Sequence, residues 1–250
     1  MWHAASIMVL IMPIKTKHSK VPLYILHGWA VDPHNEKKWQ QFRAILKKMG
    51  VTTHFVKLPG LSAPLTEVWG LDEYVSWLET ELSGVTKLML LGHSFGGQLA
   101  VRYTAKNAKQ VSKLFLLDSA GVRDRSTRAV WKRRIFWLLA KIGKLLSFVP
   151  GLRWMLYKLA RERDYATAPP LLRQTMSVII ATEVITDLPK ITCPTLIIWG
   201  SEDMVTPLHN AWIFARGILH SQLRIISGAR HSPQFTHPQE TAQLVGEYIQ

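Results

Sequence analysis

Ser94 stands in Gly92-His93-Ser94-Phe95-Gly96, between the apolar run Lys87–Leu91 and an amphipathic stretch beginning at Gly96. A serine at a tight turn from strand to helix has its hydroxyl pushed outward above a sheet edge. The helix that starts there aims free N–H groups and its positive end at the same point, which favours a developing oxyanion. Such a hydroxyl can attack a carbonyl carbon if a base takes its proton and a third group orients the base. His231, in Gly228-Ala229-Arg230-His231 after the run Leu223–Ile226, is the candidate base, with His220 and His237 as alternatives. Asp203 and Glu202, in Trp199-Gly200-Ser201-Glu202-Asp203, are the candidate orienting acids. Asp203 is preferred because a shorter side chain deeper in the loop can be held by backbone donors. His27-Gly28-Trp29-Ala30 follows the run Pro22–Leu26. Its glycine lets the loop pass close to the serine, and the Trp29 N–H can then join that of Phe95 as an oxyanion hole. His27 itself reads as a structural residue that hydrogen-bonds within its loop.

These groups converge only if strands deliver them to one edge. Seven short runs read as strands: Ser6–Ile14, Pro22–Leu26, Thr53–Lys57, Lys87–Leu91, Lys113–Leu117, Thr195–Trp199 and Leu223–Ile226. Without strict alternation, they suit strands covered on both faces. Between them, Glu36–Met49, Asp72–Leu82 (opening on a capping Asp72), Gly96–Asn107, Leu208–Leu219 and Pro238–Ile249 carry helical spacing. Strand then helix, repeated, predicts an α/β fold with a mostly parallel central sheet and helices on both faces. In such a sheet, loops following the strands share one edge, where ligands bind.

The rhythm breaks between about Gly121 and Leu188. From Gly121 to Asp164 there are twelve Lys/Arg against three Asp/Glu, so this stretch supplies +9 of the chain's +14. Ile135, Leu138, Leu139, Ile142, Leu145 and Val149 recur at helical spacing, with Arg134, Lys141 and Lys144 on another face and Trp131 and Trp137 nearby. The expected organisation is an α/β core of residues 1–120 and 190–250 with a helical insertion at 121–189. Within 250 residues, 48% hydrophobic and 19% charged, that is one domain with a sizeable core, and wholesale disorder is excluded. The single cysteine, Cys193, excludes an internal disulfide and a cysteine-rich zinc site. No apolar run reaches the ~18 residues of a membrane span. No Lys or Arg precedes the apolar stretch Ala4–Ile14, while Lys15, Lys17 and Lys20 follow it. That is the reverse of an export signal, so the expectation is a first strand in a cytoplasmic protein.

With His27-Gly28-Trp29, Gly92-His93-Ser94-Phe95-Gly96-Gly97, Gly200-Ser201-Glu202-Asp203 plus Pro207, and Gly228-Ala229-Arg230-His231-Ser232-Pro233, the sequence resembles the α/β-hydrolase superfamily in its compact capped form. The likeness runs from about Val21 to the C-terminus and is poor in the insertion. It implies that Ser94 attacks, Asp203 orients His231, and His231 moves the proton; the chain order Ser94, Asp203, His231 is the one this fold uses. It also implies that the insertion forms a lid over the site. One motif departs from the family. Where many relatives carry Asp-x-x-Gly-x-Gly-x-Ser, this chain reads Lys57-Leu58-Pro59-Gly60-Leu61-Ser62-Ala63-Pro64, with Trp69 downstream. A serine at position 94 excludes the relatives that open epoxides or displace halide with an aspartate there.

The expected activity is therefore serine hydrolysis of a carboxylic ester with an apolar or lipid-like acyl group, without metal or organic cofactor. Two other readings stand beside it: a carbon–carbon bond hydrolase of the same fold, and a relative that has lost catalysis and binds a membrane or partner. The basic insertion suits a lid with its charges in water, or peripheral contact with anionic lipid. Nucleic acid ranks below both, because no recognised binding motif accompanies the charge.

Overall fold

A computed structural model describes residues 21–123 and 169–250. The expected strand Ser6–Ile14 and the amphipathic pattern from Arg134 to Val149 lie outside these residues, as does most of the proposed insertion. The other six expected strands are all present: β1 (Leu23–Leu26), β2 (Thr53–Val56), β3 (Leu88–His93), β4 (Val111–Leu117), β5 (Thr195–Gly200) and β6 (Ser221–Ile226). They form one sheet in the order β2-β1-β3-β4-β5-β6, and every pairing is parallel.

Period-two alternation sends the side chains of each central strand into two separate cores. Leu23, Ile25, Met89, Leu91, Phe115, Leu117, Leu196 and Ile198 point to one face, where they meet Trp39, Phe42 and Leu46 and, from the C-terminal helix, Ala242 and Val245. Leu26, Leu88, Leu90, Leu114, Leu116, Ile197 and Trp199 point to the other, packed against Tyr74, Leu78, Leu99, Tyr103 and Phe214. Both cores are apolar, so continuous hydrophobic runs are what the strands require. The helices of the first face are α1 (Asn35–Lys38), α2 (Gln40–Lys48) and, near the C-terminus, α8 (Pro238–Ile249). The second face carries α3 (Leu71–Glu81), α4 (Phe95–Lys106) and α6 (Leu208–Gly217). Helix α5 (Pro170–Ala181), a 3-10 turn at Ile185–Lys190 and the short α7 (Pro233–Thr236) complete the described elements. Among the described residues, no helix is long and apolar enough to cross a membrane.

Two local expectations are corrected. The stretch Glu36–Met49 is not one helix. It breaks at Trp39, whose indole turns into the core against Phe42, Phe55 and Phe235 and is 1% exposed. Asp72 does not cap α3. The N-terminal Gly70 N–H is taken by Glu73 Oε2 at 2.8 Å, and Asp72 instead meets Arg102 and Lys106, each at 3.0 Å. A glutamate at the third helical position reaches back over the first turn, which an aspartate one residue earlier cannot do.

The register fixes the site. Leu26 pairs with Gly92, His93 with Leu117, Leu117 with Ile198, and Gly200 with Ile226. The ends of β1, β3, β4, β5 and β6 thus form one rim, and chain order reverses between β1 and β3. That is the switch point at which open parallel sheets hold ligands.

Candidate active site

Ser94 joins β3 to α4 with φ 52° and ψ −117°, a conformation that costs a non-glycine residue roughly 1–3 kcal/mol. Its N–H donates to Leu117 O at 3.0 Å, and its carbonyl accepts from Ala120 N–H at 2.9 Å, so the turn is bolted to the end of β4. The turn also needs its glycines. A Cβ on Gly96 would lie 2.1 Å from Leu26 O, and one on Gly28 would lie 2.7 Å from His93 Nδ1.

The structure brings Ser94, His231 and Asp203 together. Ser94 Oγ is 2.9 Å from His231 Nε2, and His231 Nδ1 is 2.8 Å from Asp203 Oδ2. Asp203 Oδ1 accepts the N–H groups of Val205 at 2.7 Å and Thr206 at 3.0 Å, while the Thr206 hydroxyl donates to Oδ2 at 2.6 Å. Burial pushes the Asp203 carboxyl up, but the His231 contact and these donors outweigh it and hold it below the usual carboxylate range. Glu202 is exposed and lies 4.0 Å from Arg230. Neither alternative histidine is placed for the role: His220 precedes β6 at the opposite end of that strand, and His237 pairs with Thr236 Oγ1 at 2.9 Å.

Two further histidines hold the loops. His27 is buried and bridges Gly28 O and Ser62 Oγ, both at 2.8 Å. Ser62 comes from the stretch that departs from the family motif, so that departure supplies a partner for the β1 loop. Burial lowers the His27 pKa to about 4, against the raising effect of Gly28 O, so the ring is neutral at pH 7. His93 lies beside Ser94, and its Nε2–H donates to His231 O at 2.7 Å, tying the loop after β6 to the end of β3. Burial, then repulsion by His231, lowers its pKa to about 3.

Trp29 and Phe95 meet edge to face with ring centroids 5.5 Å apart. Among the described residues, neither backbone N–H has an acceptor. His93, Asp118 and His231 also bring ligand-type atoms within 4.8 Å of one another. His231, however, has both nitrogens committed to Ser94 and Asp203, and His93 Nε2 is committed to a carbonyl.

Sequence reasoning passed over three of these residues. Asp118 directly follows an apolar strand, the same signal that marked the Asp203 loop. Thr206 lies between Asp203 and Pro207, and its role shows only once the loop closes. His93 occupies a variable place within the serine turn, and its partner is 138 residues away.

Comparison with known proteins agrees with this architecture. The family model described as "Alpha/beta hydrolase family" matches residues 23–244. The chain is 28% identical to 2-hydroxymuconate semialdehyde hydrolase of Pseudomonas sp. (strain CF600) over 91% of its length and 86% of that protein. It is 27% identical to a human (Homo sapiens) monoacylglycerol lipase, over 64% of this chain and 54% of the lipase. Among solved structures, a bacterial membrane phospholipase A superposes with a TM-score of 0.69 at 25% identity, covering 92% of this chain and 79% of that one. A meta-cleavage product hydrolase of Pseudomonas fluorescens IP01 superposes with a TM-score of 0.64 at 19% identity, covering 92% and 90%, a likeness of fold. The chain belongs to the α/β hydrolase family.

Proposed function

We propose that this chain is a serine hydrolase that cleaves carboxylic esters through an acyl-enzyme on Ser94. The observation that carries the reading is the unbroken line of contacts from Ser94 Oγ through both His231 nitrogens to Asp203, at 2.9 and 2.8 Å. His231 Nε2 takes the Ser94 proton as Oγ attacks the carbonyl carbon, and Asp203 stabilises the imidazolium. The Trp29 and Phe95 amides receive the oxyanion, each such donor contributing about 3–4 kcal/mol. His231 then protonates the leaving alcohol, and water activated by the same ring releases the acid. Every step uses this chain's own side chains and backbone amides, and water.

The lipase and phospholipase relatives support an apolar acyl group. The excess of basic residues from Gly121 to Asp164 suits contact with anionic lipid, and flotation with anionic and neutral liposomes tests that part alone. A specific observation favours a second reading. One relative that matches 91% of the chain is named a 2-hydroxymuconate semialdehyde hydrolase, so the same serine could serve carbon–carbon cleavage of a ring-fission product. Acyl esters of increasing chain length and a ring-fission substrate, assayed with wild type and Ser94→Ala, separate the two. The ester reading expects turnover rising with acyl length and lost in the variant. Turnover of the ring-fission substrate alone would overturn it.

A further inference from the structure

We propose that Asp118 works beside this site as a neutral carboxylic acid, donating its proton in a hydrogen bond to Asp203 and so holding the two carboxyls at a single negative charge. The inference rests on the reading of Ser94, His231 and Asp203 given above.

Asp118 follows β4 at the rim and is 0% exposed. Its φ is +42°, a region non-glycine residues rarely occupy, and its N–H is anchored to Ile198 O at 3.1 Å. The fold therefore spends backbone strain to put this side chain inward. Oδ1 accepts one N–H, from Gly200 at 2.9 Å, whereas Oδ2 is buried and no N–H or hydroxyl among the described residues donates to it. A buried carboxylate oxygen left bare is costly, but a protonated one becomes a donor that needs only an acceptor. Asp203 is that acceptor. The Thr206 hydroxyl touches both residues, lying 2.6 Å from Asp203 Oδ2 and 3.1 Å from Asp118 O.

Two adjacent buried carboxyls cannot both ionise cheaply, and the better-solvated one keeps the charge. Asp203 has two backbone N–H donors, a hydroxyl and an imidazole, and Asp118 has one N–H. The titratable groups facing Asp118 are Asp203 after β5, His231 after β6 and His93 at the end of β3. No Lys or Arg among the described residues acts on it. Burial first, then repulsion by and hydrogen bonding with Asp203, push the Asp118 pKa up to about 8 against the lowering effect of the Gly200 N–H. With one negative charge, the pair matches the single positive charge that His231 gains when it takes the Ser94 proton. Asp118 is thus a positioning residue that acts through Asp203.

The test compares wild type with Asp118→Asn, which keeps size and an N–H donor but cannot ionise. In the folded state Asp118 keeps its proton to about pH 8, while in the unfolded chain it releases it near pH 4. Its contribution to stability is therefore present below about pH 4 and lost as pH rises towards about 8. The Tm of wild type should fall relative to Asp118→Asn across that window, by roughly 5–10 °C in total. Parallel Tm curves would overturn the proposal. If the variant fails to fold, infrared spectra of wild type decide. A buried protonated-carboxyl band should be present at pH 7 and bleached by pH 9, and its absence at pH 7 contradicts the assignment. In ester hydrolysis, the decline in kcat/KM above about pH 8 expected for wild type should be missing from Asp118→Asn. The same decline in both would refute the role in tuning the site. The Tm and infrared readings do not depend on turnover, so failure of the ester reading would show separately, as absence of hydrolysis.

Discussion

Asp203 and Asp187 are equally buried, each 4% exposed, yet their surroundings differ in kind. Asp203, at the rim, is held by two backbone N–H groups, one hydroxyl and an imidazole. Asp187, in the 3-10 turn that leads into β5, is held by the Arg102 guanidinium at 2.5 Å and Lys190 at 3.1 Å. Arg102 reaches further, to Asp72 at 3.0 Å and Glu183 O at 3.3 Å, and so ties α4 to α3 and to the link between α5 and the 3-10 turn. The partners at the rim are backbone amides, a hydroxyl and an imidazole. Those around Asp187 are a guanidinium and an ammonium. A carboxylate among neutral donors and an imidazole leaves a proton free to move, whereas one locked to a guanidinium fixes geometry. Burial alone therefore does not mark a carboxylate suited to proton transfer; the chemistry of its partners does.

The largest effect expected from this contrast is on turnover. Asp203→Asn removes the charge that faces the imidazolium and should lower ester kcat/KM by about 10³–10⁴-fold, with a much smaller change in denaturation midpoint. An equal loss from Asp187→Asn in kinetics per folded molecule would erase the distinction. At the other site the effect should be on stability. Arg102→Ala leaves Asp187 buried without its main cation and should cost about 2–4 kcal/mol in urea unfolding. Replacing Arg102 and Asp187 together with Met and Leu should recover most of that loss, because the uncompensated charge is then gone. A smaller effect is expected from Thr206→Val, which deletes one hydroxyl bond to Asp203 while its N–H bond remains. Turnover should fall about tenfold, through kcat more than KM.

Much of this arrangement was legible in the sequence, for reasons that particular residues make plain. Strands β3 and β5 are buried along their whole length, and a continuous apolar run is the signal such strands leave. The Ser94 turn could be found because only glycine fits where Gly96 meets Leu26 O. The preference for Asp203 over Glu202 rested on side-chain length, and the backbone donors of Val205 and Thr206 supply the physical basis. What escaped were relations that exist only across the sheet: Asp118 with Gly200, His93 with the His231 carbonyl, and Arg102 with Asp187. No periodicity encodes them, since each partner lies more than eighty residues away. The start of α3 was misjudged for a local reason, because Asp72 and Glu73 are both plausible first-turn acids and only reach separates them.

The most direct measurement is covalent labelling by a fluorophosphonate, followed by intact mass and peptide mapping. The account predicts one adduct per chain, on Ser94, formed at least ~10³-fold more slowly in His231→Ala. Wild-type protein that takes no label, or a His231→Ala variant labelled as fast as wild type, would contradict it.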